Sequence, residues 1–300
     1  MAADIDRGTP RTSAWEDRYW AIDGLRLHYR DYPGRSDRPP ILMLHGLTRN
    51  SRDFEDVAAR YSGEWRVIAV DFRGRGQSDW DPRAERYVPL TYAEDVIALL
   101  DELGIARAVF FGTSLGALVT MTVAALQPER IAAVLVNDIG PEVDRRGIER
   151  IRTYVGKPQH WQSWEEAAAA LRAKHGDVHP AYGDAEWLRY ARRVCREAAG
   201  GGIELDYDMA IADNFNRPDF EPVGDIWPYF RALANVPVLI VRGENSDLLP
   251  ADLAERMRDS LPDGELVTVP DVGHAPDLDE PVAVAAIDRL LERVLRAERG

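Results

Sequence analysis

Short apolar runs recur along the chain at 41–44, 67–70, 108–111 and 133–136, and after a long interruption at 238–241 and 266–269. Runs of four residues that are apolar on both faces are too short for helices and read as strands buried on two sides. Between them lie stretches with apolar residues at helical spacing, notably 91–103 and 281–296, the first with Thr91 as its expected N-cap and Gly104 as its expected stop. Strands alternating with helices predict an α/β domain on a mostly parallel, doubly wound sheet. Ahead of it, the runs 19–22 and 25–29 flank Asp23-Gly24, a pair that favours a two-residue hairpin turn, so an antiparallel strand pair is expected there.

The interruption, 141–233, lacks strand-like apolar runs and carries helical patterns at 164–175 and 185–199. It reads as a helical cap inserted into a core formed by 15–140 and 234–300. Residues 1–14 are polar, with Gly8, Pro10 and Ser13, and are expected to form a flexible arm. The insertion concentrates aromatic residues, Trp161, Trp164, Trp187 and Trp227 among them. Most should hold the cap together, and some should line a pocket beneath it and favour a small apolar or aromatic acyl group. Cys195, the one cysteine, falls in Arg192-Arg193-Val194-Cys195-Arg196-Glu197, which reads as a turn of charged helix with the thiol as a packing residue.

Charge removes whole classes of function. With 51 acidic against 37 basic residues the net charge is −14, which repels phosphate backbones and anionic membranes, so neither nucleic acid nor membrane is an expected partner. No stretch approaches the roughly 20 apolar residues of a membrane span, and the first residues hold no apolar core of a signal peptide. The expected location is the cytoplasm and the expected partner a small-molecule substrate. Assembly into a homo-oligomer stays open. No cofactor or metal is called for.

Candidate chemistry begins at Gly112-Thr113-Ser114-Leu115-Gly116, directly after the run at 108–111 and directly before a helical pattern. Strand, Gly-x-Ser-x-Gly, helix is the context in which a strained turn lifts a serine hydroxyl clear of a sheet. Such a serine needs a base, and His274, in Gly273-His274-Ala275 after the last strand-like run, stands where parallel strands place functional groups. The base needs a carboxylate to set its tautomer. Asp247, in the loop after the run at 238–241, fits in position and in chain order.

Taken together with His45-Gly46-Leu47 and the stretch Asp71-Phe72-Arg73-Gly74-Arg75-Gly76-Gln77-Ser78, these motifs resemble the α/β-hydrolase fold family over nearly the whole chain. The resemblance lies within its capped esterase, lactonase and C–C hydrolase group. It implies an oxyanion hole from the backbone N–H groups of Leu47 and Leu115, with His45 supporting that loop and not acting as base. It also raises Asp138, at the end of the sixth strand, as the competitor of Asp247, because some relatives place the acid there. The stretch from Asp71 to Ser78 lacks the lysine of a phosphate-binding loop and reads as a structural turn.

The expected activity is hydrolysis of a small carboxylic ester or lactone through an acyl-enzyme. A serine nucleophile argues against the dehalogenase and epoxide-hydrolase chemistries of the family, which run through an aspartate ester. C–C bond hydrolysis of ring-cleavage products is the alternative, weakened because Ala275 stands where those relatives usually have tryptophan. Acyl transfer and cofactor-free peroxidation stay open. A third class is a small-molecule receptor on the same fold, which turnover of a simple ester would separate from an enzyme.

Overall fold

A computed structural model of the chain describes residues 14–142, 145–216 and 225–299, so the expected arm at 1–14 lies almost wholly outside the described residues. The first strands are β1 (Glu16–Ile22), β2 (Leu25–Tyr32), β3 (Ile41–Leu44), β4 (Val67–Val70), β5 (Ala108–Thr113) and β6 (Ile131–Asn137). Three short strands follow, β7 (His160–Trp161), β8 (Cys195–Glu197) and β9 (Ile203–Leu205), and then β10 (Val238–Gly243) and β11 (Gly264–Val269). The main sheet has the order β1-β2-β4-β3-β5-β6-β10-β11. The pairs β1/β2 and β2/β4 are antiparallel, and every later pair is parallel. At the β1–β2 turn, Asp23 (φ 55°) and Gly24 (φ 80°) are both left-handed, as a two-residue hairpin of this hand requires.

The apolar runs are fully buried because alternate residues feed two separate cores. Leu42, Leu44, Val70, Phe110, Val136 and Ile240 point to one face of the sheet, where α2 (Pro89–Glu102), α3 (Leu115–Leu126) and α9 (Ala251–Asp259) pack. Ile41, Met43, Val67, Phe111, Leu135 and Val241 point to the other, covered by α1 (Glu55–Tyr61) and α10 (Pro281–Ala297). This is the α/β-hydrolase fold with its mostly parallel sheet, as expected. One cap differs from expectation. Helix α2 starts at Pro89, whose fixed φ and missing N–H suit a first helical position, so Thr91 is a buried residue inside the helix and not its N-cap. Gly104, with φ 62°, stands just beyond the helix end as the sequence suggested.

The insertion carries α4 (Arg145–Arg152), α5 (Trp164–His175), α6 (Asp184–Val194), α7 (Ile211–Asn216) and α8 (Trp227–Arg231). It also holds a small antiparallel sheet of order β7-β9-β8, which the sequence pattern did not announce. Cys195 is buried as expected but lies on β8, not in a helix, because the backbone turns extended at φ −118°, ψ 166° after Val194. Gly201 and Gly202, both at positive φ, return the chain into β9. Two ion pairs and a backbone hydrogen bond dock this layer on the core: Arg52 meets Asp206 at 2.5 Å, Arg193 meets Asp56 at 2.5 Å, and the Gly273 N–H donates to the Val178 carbonyl at 2.9 Å. No helix among the described residues is long and apolar enough to cross a membrane.

Candidate active site

Ser114 sits between β5 and α3 with φ 52° and ψ −114°, a conformation that non-glycine residues rarely adopt and that marks stored strain. The neighbouring glycines make the turn sterically feasible. A Cβ on Gly116 would lie 1.9 Å from the Leu44 carbonyl oxygen of β3, and one on Gly112 would lie 2.6 Å from the Ala117 backbone. The serine N–H donates to the Asn137 carbonyl at 2.9 Å, which ties the turn to the end of β6.

His274 lies in the loop after β11, with Nε2 3.0 Å from the Ser114 hydroxyl oxygen. Its Nδ1 is 2.9 Å from Oδ2 of Asp138. A carboxylate can only accept, so the Nδ1–H donates to Asp138 and leaves Nε2 free to accept the serine proton. The Asp138 side chain is fully buried, and its Oδ1 accepts the Gly243 N–H at 2.9 Å, which fixes the carboxylate against the histidine it holds.

Asp247, the expected partner of His274, is not on the histidine. Both of its oxygens are taken by Arg150 of α4, through Nε and, at 2.9 Å, through a terminal nitrogen. Burial pushes its carboxyl upward, but Arg150 and the nearby His274 outweigh that and hold it below the usual aspartate value. The competitor Asp138 therefore takes the position expected of Asp247. The physical reason is the left-handed backbone at Asp138 (φ 59°), which turns its side chain from the end of β6 toward the histidine loop, while a cation from the insertion captures Asp247.

The expected oxyanion groups flank the serine. Leu115 is the first residue of α3, so its N–H has no carbonyl one turn back to bond. Leu47 follows β3 and lines the same cleft as Ser114, and the Cβ position of Gly46 lies 3.8 Å from the Ser114 Cβ. His45 is fully buried, accepts the Phe72 N–H on Nε2 at 3.1 Å and bonds the Gly46 carbonyl through Nδ1 at 2.7 Å. Burial pushes it down to about 4, so it is neutral at pH 7 with both nitrogens occupied. The stretch from Asp71 to Ser78 is a structural turn: Asp71 accepts from His28, Ser51 and Gln77, and Arg73 is buried between Asp81 and Asp95.

Two supporting residues escaped the sequence pattern. Asn137 donates to the Thr113 hydroxyl at 3.1 Å and to the Pro276 carbonyl at 2.8 Å, clamping the histidine loop to the serine turn. Arg75, fully buried, donates from Nε to the Leu47 carbonyl at 2.9 Å and steadies the loop carrying that amide. Arg75 falls in the stretch from Asp71 to Ser78, which the sequence reads as a turn without a role for each side chain, and Asn137 falls in no motif, so their contacts emerge only from the fold.

Above the serine is a cleft of about 140 Å³, lined from the core by Leu47, Ser114 and His274 and from the insertion by Ile151, Tyr154, Trp161, Leu171 and Tyr190. Of the four tryptophans singled out in the sequence, only Trp161 lines it. Trp187 is buried in the insertion's own core with Tyr190 and Leu171, Trp164 packs on that core from outside, and Trp227 bonds Glu142 beside the core helices.

A sequence profile of the alpha/beta hydrolase family matches residues 41–287. The chain is 34% identical to the 3-hydroxybutyrate-oligomer hydrolase of Cupriavidus necator, over 87% of this chain and 90% of that protein. It is 29% identical to the 2-(acetamidomethylene)succinate hydrolase of Mesorhizobium japonicum, over 91% and 92% of the two chains. Among solved structures, an alpha/beta hydrolase from Novosphingobium aromaticivorans superposes with a TM-score of 0.89 at 52% identity, covering 95% of this chain and all of that one.

Proposed function

The protein belongs to the alpha/beta hydrolase family and its relatives are named hydrolases, and we propose that it cleaves a small carboxylic ester or lactone through a Ser114 acyl-enzyme. The observation that carries this reading is the unbroken chain from Asp138 through His274 to Ser114, at 2.9 and 3.0 Å, on the floor of a cleft. His274 takes the serine proton as Oγ attacks the carbonyl, and Asp138 stabilises the imidazolium that forms. The N–H groups of Leu47 and Leu115 hold the charge that develops on the carbonyl oxygen. His274 then returns its proton to the leaving alcohol and, by the reverse sequence with water, frees the acid.

In this reading residues 141–233 are a cap over a core of 15–140 and 234–300, and the cap shapes the substrate. Ile151, Leu171 and Trp161 give one side of the cleft an apolar wall suited to a short acyl chain. Its size, comparable to a cavity that holds one benzene-sized guest, argues for a small substrate. The similarity to a 3-hydroxybutyrate-oligomer hydrolase makes the ester dimer of 3-hydroxybutyrate the first natural-type substrate to try.

A second reading, hydrolysis of a bond other than an ester, draws on the similarity to 2-(acetamidomethylene)succinate hydrolase, whose named substrate is an amide. The test is steady-state turnover of 4-nitrophenyl acetate, the 3-hydroxybutyrate dimer and 2-(acetamidomethylene)succinate by the purified protein. Rates on either ester far above background, and lost in Ser114→Ala, are expected. Turnover of the amide alone moves the activity to the second reading, and binding without turnover of any of the three moves it to the receptor class.

A further inference from the structure

For a chain of net charge −14 the cleft is lined by an unexpected set of cations, Arg49, Arg150 and Lys174, against Asp53 and Asp277. Two of the cations are matched. Arg49 donates to both oxygens of Asp53 at 2.7 Å, and Arg150 holds Asp247. Asp277 is engaged elsewhere, accepting from the Tyr182 hydroxyl and standing 3.8 Å from Nδ1 of His179.

Lys174, at the end of α5, forms no ion pair among the described residues, and its ammonium nitrogen stands 4.6 Å from the ring centre of Tyr154, another lining residue. It is one of only two lysines in the sequence, and the other, Lys157, is near enough for its charge to oppose that of Lys174. Although the residue is exposed, the surrounding cleft atoms together with that repulsion pull the Lys174 ammonium below its ordinary value. The adjacent His175, which also lines the cleft, is pushed down to about 3 by burial and then by the charges of Lys174, Arg49 and Arg150. Its ring is therefore neutral at pH 7, and with Arg49 and Arg150 matched by carboxylates the unpaired cation lining the cleft is Lys174. Lys174 is an exposed residue, so its unmatched ammonium stands open at the rim of the cleft, free to pair with an anion that enters.

We propose that Lys174, over Tyr154, forms a carboxylate subsite on the cap side of the cleft, so that the substrate is an ester that also carries a free carboxylate. The inference rests on the ester-hydrolase reading above and adds to it the residue that would meet the free carboxylate of an acid ester such as the 3-hydroxybutyrate dimer. A carboxylate held there, away from the reacting carbonyl, would orient a small flexible ester toward Ser114 with binding energy drawn from a part of the molecule that does not react.

Two substrate pairs test this in the full-length protein. One is 4-nitrophenyl hydrogen glutarate against its terminal amide, with the charge on the acyl side. The other is 4-acetoxybutanoate against 4-acetoxybutanamide, with the charge on the alcohol side. The expected result is a kcat/KM at least tenfold higher for the charged member of one pair, carried mainly by KM. Lys174→Met should bring that ratio down toward one, and Lys174→Arg should restore part of it. Ratios near one in both pairs for the wild type, or a preference that survives in Lys174→Met, overturn the subsite. If no ester at all is hydrolysed, the catalytic reading fails by itself. Calorimetric titration with glutarate then decides the subsite: binding at least tenfold weaker in Lys174→Met sustains it, and equal binding or none overturns it.

Discussion

Replacing Asp138 by asparagine tests the proposed relay at the point where sequence and structure part. The side-chain carbonyl of asparagine can still accept the Gly243 N–H that Oδ1 accepts at 2.9 Å, so the local fold should survive. The amide nitrogen would then face Nδ1 of His274, where Oδ2 now sits at 2.9 Å, and would donate to it. The ring would be forced into the tautomer with its proton on Nε2, the atom 3.0 Å from the Ser114 hydroxyl, and could no longer accept the serine proton. In serine proteases the equivalent change lowers kcat by about 10⁴, or about 5.5 kcal/mol of transition-state stabilisation. A loss of that order is expected for Asp138→Asn. Asp247→Asn should cost less than about tenfold, because it weakens an ion pair that is a third exposed and leaves His274 untouched. Steady-state kinetics on one ester for both variants, with circular dichroism to verify folding, measures the difference. A loss in Asp247→Asn equal to or larger than that in Asp138→Asn would refute the reasoning.

Ser114→Ala should abolish turnover, and a fluorophosphonate probe should label the wild type at Ser114 alone; labelling elsewhere in an active preparation contradicts the assignment. Trp161→Ala should shift the preferred acyl length among acetate to octanoate esters, since Trp161 lines the cleft, whereas Trp187→Ala should keep the profile and lose roughly 3–5 kcal/mol of stability. Chemical denaturation and kcat/KM profiles separate the two, and a changed profile with unchanged stability in Trp187→Ala refutes the division. His45 has a folded value near 4 against an ordinary 6.5, so the unfolded chain takes up a proton first as the pH falls. Its contribution is complete above about 6.5 and is lost as the pH drops toward 4, on the order of 3 kcal/mol. Unfolding free energies at pH 7 and 4.5 should therefore fall more steeply in the wild type than in His45→Gln, and equal slopes refute this.

The sheet was legible because burial on both faces leaves a strong trace. A run such as Ile41 to Leu44, with Ile41 and Met43 in one core and Leu42 and Leu44 in the other, has no polar position to confuse it. The serine turn was legible for a related reason, since Gly112 and Gly116 are required by contacts of 2.6 and 1.9 Å that any other residue would violate. The small sheet of the insertion left no such trace. Its strands are two or three residues long, and β8 reads Cys195, Arg196, Glu197, two of them charged, which pair with β9 through backbone groups and carry no apolar alternation. The tryptophans could not be sorted for the same reason. Trp161 and Trp164 lie three residues apart, yet one sits on β7 facing the cleft and the other begins α5, and spacing alone does not encode that change of element.

The acid was a harder case, and the cause lies in the topology. Asp138 follows β6 and Asp247 follows β10, and these strands are neighbours in the sheet, so both carboxylates emerge beside the same histidine loop. Chain order, strand position and residue type are then equal for the two. What separates them is one left-handed backbone angle at Asp138 and one cation, Arg150, that arrives from the insertion about a hundred residues away in sequence. Arg150 also links the two proposals made for this site. By holding Asp247 it leaves Asp138 as the carboxylate on His274, and by neutralising Asp247 it removes a negative charge that would oppose a substrate carboxylate in the cleft. Losing Arg150 should therefore free Asp247 to compete for the histidine and weaken the discrimination between charged and neutral esters in the same variant. A substitution at a catalytic carboxylate would alter only the rate.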